Sequence, residues 1–534
     1  MTKIQTTQTE KSRRVVLLLA LAVLLAAQAA YCIYYGGMKQ DLYVDGYYTF
    51  ELSNSHGFSG IFGSSITPQD YAHDYFSAAG RGRLNYPLVW QNQVGDVHPP
   101  FYYLIIHTLC AVLAPGFAFP ASVWLAMGVN IAFALGSTLL VFAIVRRLTG
   151  RAAPAFTAAA LAAFSPVMIE HVTFIRMYTM AGFWVLLAVW WHVKSWDKPL
   201  GPRAVLPLLL CTAAGILTHY YVLIYLFFAA LWFGVRLLLR RRWRDAAWYA
   251  GGMLGGVGLS VLVFPGMLYH IFAGERGTQA VGNLTESSLT ARLFGPAGML
   301  GQLNKFMFCG GIAIVFILLA LLGGGYLITR ITARRPLGLD RPELMLLAVS
   351  AAYFVLITKI EADTYLRYLY ILCLPLLGVL VALLWRFCRY FGRLVARERL
   401  GGALACLLAA AFGVAEVAAT GPQTFSYLYP ETAQAQAQIE ADGARELVWM
   451  GGSPWKTMQL YRAMEPMDTL HFVDADDPAS LGGMGLEGKP FYLALEGSLS
   501  SDELLAAVEE ILPGSTAAYR FDMGDEKLYL VTQG

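Results

Sequence analysis

Runs of about 17 to 25 mostly apolar residues, the length a helix needs to cross a bilayer core of roughly 30 Å, recur through the chain until about residue 420. Spans are predicted near 15–35, 120–145, 152–166, 178–195, 203–218, 219–239, 246–266, 304–328, 343–358, 368–388 and 400–420, eleven in all. Of the 534 residues, 57% are hydrophobic and only 14% charged, more apolar than a soluble domain needs for its core. The expected fold class is a polytopic α-helical membrane protein. "KSRR" before the first run suggests a signal peptide, but the run exceeds the usual h-region of about 7 to 15 residues. "YCIYYGG" after it offers no small-x-small cleavage site, so the run is read as a retained anchor. All seven cysteines fall in or beside apolar runs, which implies neither a disulfide nor a zinc framework.

Orientation follows from the basic clusters "KSRR", "RRLTGR", "KSWDKPLGPR", "RLLLRRRWR", "RITARRPLGLDR" and "RFCRYFGRLVARER", because short loops rich in Lys and Arg stay on the cytoplasmic side. This puts the N-terminus inside and the C-terminal tail outside. One further apolar run, His98 to Gly116, would reverse every later cluster if it crossed. It is therefore expected to lie at the outer interface, started by Pro99 and Pro100, where a missing N–H costs nothing. The first outer loop then covers 36–118. From 421 to 534 the spans stop and acids become commoner. "ELVWMG", "DTLHFV", "PFYLALE" and "KLYLVTQ" read as strands, and "SPWKTMQLYRAM" and "SDELLAAVEEIL" as helices, giving a small extracytoplasmic α/β domain that supports or covers the membrane site. The expected division is 1–420 and 421–534.

With this topology the unusual polar residues gather outside. "DLYVDGYYTFELSNS" carries Asp41, Asp45 and Glu51. Ionisable groups beside a bilayer are costly and usually functional, and aromatic neighbours that exclude water would raise the proton affinity of Asp45 toward that of a general base. Asp41 and Glu51 are read instead as solvated. Arg176 in "FIRMY" and Arg367 in "YLRYLY" stand at outer span ends, where arginine is scarce, and together suit a lipid-linked phosphate through bidentate hydrogen bonds. His98, His219 and Tyr220 are expected at the same face, with His219 hydrogen-bonding a phosphate or a sugar hydroxyl. Arg276, Arg292, Lys305 and Lys359 are further outer cations that would touch phosphate or anionic lipid.

The order "VDGYYTFELSNS", "HPPFYYLIIH", "RRLTGRAAPAFTAAALAAFSP", "FIRMY", "THYY", "LRYLY" resembles the bacterial GT-C glycosyltransferases, related to protein O-mannosyltransferases, aminoarabinose transferases and oligosaccharyltransferases. The resemblance covers most of the chain up to about residue 370, and the tail is outside it. It implies two interfacial helices in the first outer loop, a donor sugar on a polyprenyl phosphate or diphosphate, Asp45 as the base, and Arg176, Tyr178, Arg367 and Tyr368 around the phosphate. Two positions depart from the family pattern. Gly46 follows Asp45 where an acid is common, and Phe174 stands where many members carry a glutamate, with Glu170 one helical turn earlier as a possible substitute. These losses bear on the divalent metal that the family pattern allows, so its presence is left open.

The resulting expectation is a glycosyltransferase of the bacterial cytoplasmic membrane. It moves a sugar from a polyprenyl-phosphate donor to a glycan, lipid or protein acceptor at the outer face, with inversion, among membrane lipids and without nucleic acid. A lipid-linked glycan flippase or other transporter, and a non-catalytic scaffold for envelope assembly, are the alternatives.

Overall fold

The computed structural model describes residues 2–79, 83–286, 289–361 and 363–533. Among these, eight helices are long and apolar enough to cross a membrane: Ser12–Gly36, Ala121–Thr149, Tyr221–Leu239, Trp243–Val263, Ile312–Thr332, Pro342–Ile360, Leu366–Leu394 and Glu398–Ala419. A ninth crossing is made by Ala152–Phe164 and Pro166–Thr173 if that pair, bent by 44°, counts as one span. The bend has a local cause, since Pro166 forces Ser165 out of the helical region to ψ 139°. The predicted spans 178–195 and 203–218 are also helices, Tyr178–Ser195 and Pro202–Ile216, but fall short of those eight. Tryptophans, His192 and Lys194 dilute the first, and the second has only 15 residues.

Charges tie together the loops at one end of the bundle. Arg236 donates to Asp197 (2.7 Å) and Asp340 (2.5 Å), and Arg386 pairs with Glu343. Arg236, Asp197, Asp340 and Arg386 come from four of the basic segments that the charge pattern assigns to one side, and Glu343 follows one of them by two residues.

At the other end, the chain between the first two spans folds into helices Val44–Asn54, Pro68–Phe76, Tyr86–Gly95 and Phe101–Leu113 and a two-residue strand β1, Ser65–Ile66. Thr67 and Asp70 cap Pro68–Phe76 reciprocally, each accepting from the other's backbone N–H. Phe101–Leu113 has 13 residues, about 20 Å at 1.5 Å per residue, too little to cross. The run that the charge pattern excludes as a span is thus excluded by length as well.

The tail forms β2 (Glu446–Gly451), β3 (Thr469–Asp474), β4 (Phe491–Leu495), β5 (Ser515–Met523) and β6 (Glu526–Gln533), in a sheet of order β1-β3-β2-β4-β6-β5. Central β2 runs parallel to β3 and β4, so both its faces are covered and "LVWM" is apolar throughout. All four predicted strands are present. β5 escapes the sequence pattern because "STAAYRFDM" is an exposed edge with weak alternation. "SPWKTMQLYRAM" is mostly a 3-10 segment, Pro454–Leu460, ending in one α turn, and "SDELLAAVEEIL" is the helix Ser501–Ile511.

Strand β1 comes from the first loop, yet it pairs antiparallel with β3 of the tail, Ser65 opposite His471 and Ile66 opposite Leu470. Loop and tail also share one core, in which Tyr47, Phe50, Tyr71 and Phe76 meet Trp449, Met458, Tyr461 and Leu470. The two segments therefore lie on the same side of the bundle. A chain whose first loop and tail share a side, with its N-terminus on the other, crosses an odd number of times.

Candidate active site

Asp45 lies in the first turn of Val44–Asn54. Its Oδ2 accepts from Arg367 Nη1 at 2.8 Å, and its Oδ1 faces Arg176 Nη2 at 3.5 Å. Three segments far apart in sequence thus meet at one carboxylate, on a cavity of about 370 Å³. The surroundings expected for Asp45 are corrected here: the acid is ion-paired, and guanidinium groups, not only aromatic rings, stand next to it.

Each arginine is fixed by residues behind it. The linker that carries Arg176, after Pro166–Thr173, is held by Asn130, whose side-chain amide donates to the carbonyls of Phe174 (3.0 Å) and Val172 (3.3 Å). Tyr102 orients that amide by donating to its oxygen (3.1 Å). Thr49 ties the Asp45 helix to the same linker through the Ile175 carbonyl (2.8 Å). Arg176 Nη1 donates to the Tyr103 hydroxyl (2.7 Å). Arg367 lies on the 3-10 turn Leu366–Leu369, which Tyr353 pins by donating to the Tyr368 carbonyl (2.7 Å). Its guanidinium sits 4.3 Å from the Tyr365 ring centroid and 5.2 Å from that of Tyr368, with Tyr43 and Phe174 beyond. Nη2 reaches the Tyr368 hydroxyl (3.3 Å), whereas Nε is buried and has no hydrogen-bond partner among the described residues. A buried guanidinium N–H without an acceptor is costly unless a ligand supplies one.

Two histidines complete the wall. His98 Nδ1 bonds Asp96 at 2.8 Å. Burial pushes Asp96 up, but His98 and Arg176 more than offset it and bring the acid down to about 2, so it is a carboxylate and His98 is the donor. His219 Nδ1 accepts the Tyr221 backbone N–H at 3.1 Å, which leaves its proton on Nε2. Burial, then His98, Arg176 and Arg367, hold His219 well below the usual histidine range.

Asp45, His98, Arg176, Tyr178, His219, Tyr220, Arg367 and Tyr368, all singled out in the sequence, line this one cavity. Tyr220 donates its hydroxyl to His270 (2.8 Å), whose other nitrogen is tied to the Val94 carbonyl (3.1 Å). Arg276 lines the same cavity, Lys305 packs over Phe306, and the Arg292 side chain lies outside the described residues. Asp96, Tyr103, Asn130 and Tyr427 were not singled out. Asp96 was within reach of a reading that paired neighbours along "GDVHPP", whereas the others contribute through contacts that no local pattern shows.

Three expectations fail. Asp41 is not solvated: it is 4% exposed and accepts from Tyr47 Oη (2.7 Å), Leu42 N (2.7 Å) and Thr432 Oγ1 (3.2 Å). Burial raises it to about 6, against those hydrogen bonds and Lys39. Glu51 is 5% exposed, and burial, helped by Asp96, lifts it to about 8. Asp41 is covered in part by the tail, whose Thr432 donates to it, whereas Glu51 sits on a helix packed by the other helices of the loop. Glu170 does not replace the missing family acid either, since its carboxylate accepts the Ser426 backbone N–H (3.0 Å) and lies off the cavity. The Phe174 ring stacks on Tyr427 of the tail, with centroids 4.2 Å apart and planes at 11°.

A divalent cation does not fit this donor set. Gly46 supplies no ligand, Phe174 stands in the second acidic position, and guanidinium groups face both oxygens of Asp45. Among the described residues no group of three or more His, Cys, Asp or Glu converges.

Residues 97–358 match the sequence model of Glycosyltransferase family 87. Among solved structures, the chain is similar to ArnT from Cupriavidus metallidurans bound to undecaprenyl phosphate, at 12% identity and TM-score 0.53, covering 95% of this chain and 97% of that one. The apo state of the same protein aligns at 15% identity and TM-score 0.50, covering 98% of each. No curated protein matches the chain by sequence. The chain thus shares its fold with ArnT along nearly the whole length, and its match to a glycosyltransferase family model takes in His98, Arg176 and His219.

Proposed function

We propose that the protein transfers a sugar from a polyprenyl-phosphate carrier to an acceptor hydroxyl at the outer face of a bacterial cytoplasmic membrane, with inversion. The observation that carries this reading is the convergence of one carboxylate, Asp45, with two arginines on a cavity of about 370 Å³. The acid and the anion site that such a transfer needs lie side by side. Arg367 Nε, buried without a partner among the described residues, awaits an acceptor of the kind a phosphate oxygen provides.

In this reading the donor phosphate competes with Asp45 for both guanidinium groups. As it draws them away, the carboxylate is freed beside the anomeric carbon. The acceptor hydroxyl passes its proton to Asp45 as its oxygen bonds to C1, and the bond from C1 to the phosphate oxygen breaks. The electron pair leaves with the polyprenyl phosphate, whose charge Arg176 and Arg367 stabilise, so no strong acid is needed. One displacement inverts the anomeric centre. The step is derived without a metal ion, consistent with the donor set.

The test is to incubate the purified full-length protein with a panel of polyprenyl-phosphate sugars and measure released lipid phosphate. Release with at least one donor, abolished in Asp45→Asn, is expected. A flippase would instead move labelled lipid across proteoliposomes without cleaving it, and a scaffold would do neither.

A further inference from the structure

Two of the three histidines that line the cavity, His98 and His219, present opposite chemistry. His219 accepts a backbone N–H on Nδ1, so its Nε2–H is a donor. His98 gives its Nδ1–H to the Asp96 carboxylate, so its Nε2 carries a lone pair. Nε2 has no protein partner among the described residues, and His98 lines the cavity. Burial lowers the proton affinity of His98 against the pull of Asp96, with Arg176 assisting burial and Asp45 opposing it.

A phosphodiester anion offers only lone pairs. It can be held by the arginines and by His219 Nε2–H, but a bare imidazole nitrogen repels it. A hydroxyl, by contrast, can donate to that nitrogen. We infer that the Asp96–His98 pair holds the acceptor's hydroxyl group, so that the cavity has a donor wall at Arg176, Arg367 and His219 and an acceptor wall at His98. This rests on the transferase reading above and assigns the substrates within it. His98 contacts the nucleophilic oxygen, and Asp96 is a positioning residue that keeps the proton on Nδ1 and the lone pair on Nε2. The hydroxyl so held lies near Asp45, the group that takes its proton.

The test uses purified full-length protein, undecaprenyl phosphate as the donor-side probe read by tryptophan fluorescence, and octyl hexopyranosides as acceptor probes with whichever polyprenyl-phosphate sugar is turned over. His98→Phe, which keeps a ring but has no acceptor atom, should lower kcat/KM for the octyl glycoside by about tenfold or more, mainly through KM. Its Kd for undecaprenyl phosphate should not change, which also shows that the variant is folded. His98→Gln, whose amide oxygen can accept, should recover part of the loss, and Asp96→Asn should reproduce it with the ring intact. His219→Phe should do the reverse, weakening undecaprenyl phosphate and sparing the acceptor KM. The assignment is overturned if His98→Phe weakens undecaprenyl phosphate as strongly as Arg176→Ala does. It is equally overturned if that variant changes only which donor sugar is used, or leaves acceptor kinetics untouched in an active enzyme. A wild type that releases lipid phosphate from no donor sinks the transferase reading itself and this assignment with it.

Discussion

A carboxylate facing Arg367 at 2.8 Å and Arg176 at 3.5 Å is fixed in position by two cations, and this decides what each residue is worth. Asp45→Asn preserves shape but cannot take a proton, so turnover should fall by about two to four orders of magnitude while undecaprenyl phosphate still binds. Turnover at the wild-type rate would show that the base lies elsewhere. Arg176→Ala and Arg367→Ala each remove a charge-assisted contact of about 1.5–3 kcal/mol, or roughly 10- to 150-fold in affinity for the lipid phosphate. Lysine should recover only part, lacking the planar fork. Unchanged binding in both alanine variants would remove the phosphate assignment. These residues were legible in the sequence because polar groups at span ends are rare and each sits in a short aromatic motif. The burial of Asp41 and Glu51 was not, since Thr432, which donates to Asp41, stands 391 positions away and Glu51 is buried by helices of the loop that fold back on its own.

Glu51 also makes pH a readout. Its folded pKa of about 8 lies above the ordinary glutamate value of 4.5, so between those values the native state binds the proton more tightly than the unfolded chain. Stability is therefore highest at the acid end of that window and declines as pH rises from about 4.5 to about 8. Glu51→Gln, a mimic of the protonated acid, should flatten the slope of Tm against pH in detergent between pH 5 and 8. An unchanged slope would mean that Glu51 does not titrate from a dry site.

At the scale of elements, Phe101–Leu113 decides the topology. It is the strongly apolar segment whose crossing would reverse every later loop, and at 13 residues it falls short. A cysteine at Gly116, which is exposed, should react with an impermeant thiol reagent on intact cells, in a Cys309→Ser background that removes the exposed native thiol. One at Arg151 should not react, and serves better than Gly150, whose φ of 69° suits glycine. Protection at 116 with labelling at 151 would invert the orientation. Most helices and four of the five tail strands could be read locally, because apolar period and run length are local properties. β1 could not: a two-residue strand exists only because an edge elsewhere accepts it.

For the whole molecule, the loop and the tail act as one body above the bundle, with Tyr427 of the tail stacked under the aromatic surroundings of Arg367. Truncation after residue 420 should therefore uncover Tyr47, Phe50 and Tyr71, lower Tm and loosen lipid-phosphate binding, although no site residue singled out in the sequence is deleted. Full retention of both properties would make the tail an independent appendage. The pairing of Ser65 with His471, 406 positions apart, also has a history in time. A ribosome adding about 5–20 residues per second needs roughly 20–80 s to travel between them. For that interval the nascent loop stands outside the membrane with its sheet partner still unmade, its aromatic face bare to chaperones and proteases. Slow synthesis, or an arrest late in the message, would expose this protein to degradation at its first loop and not at its growing end.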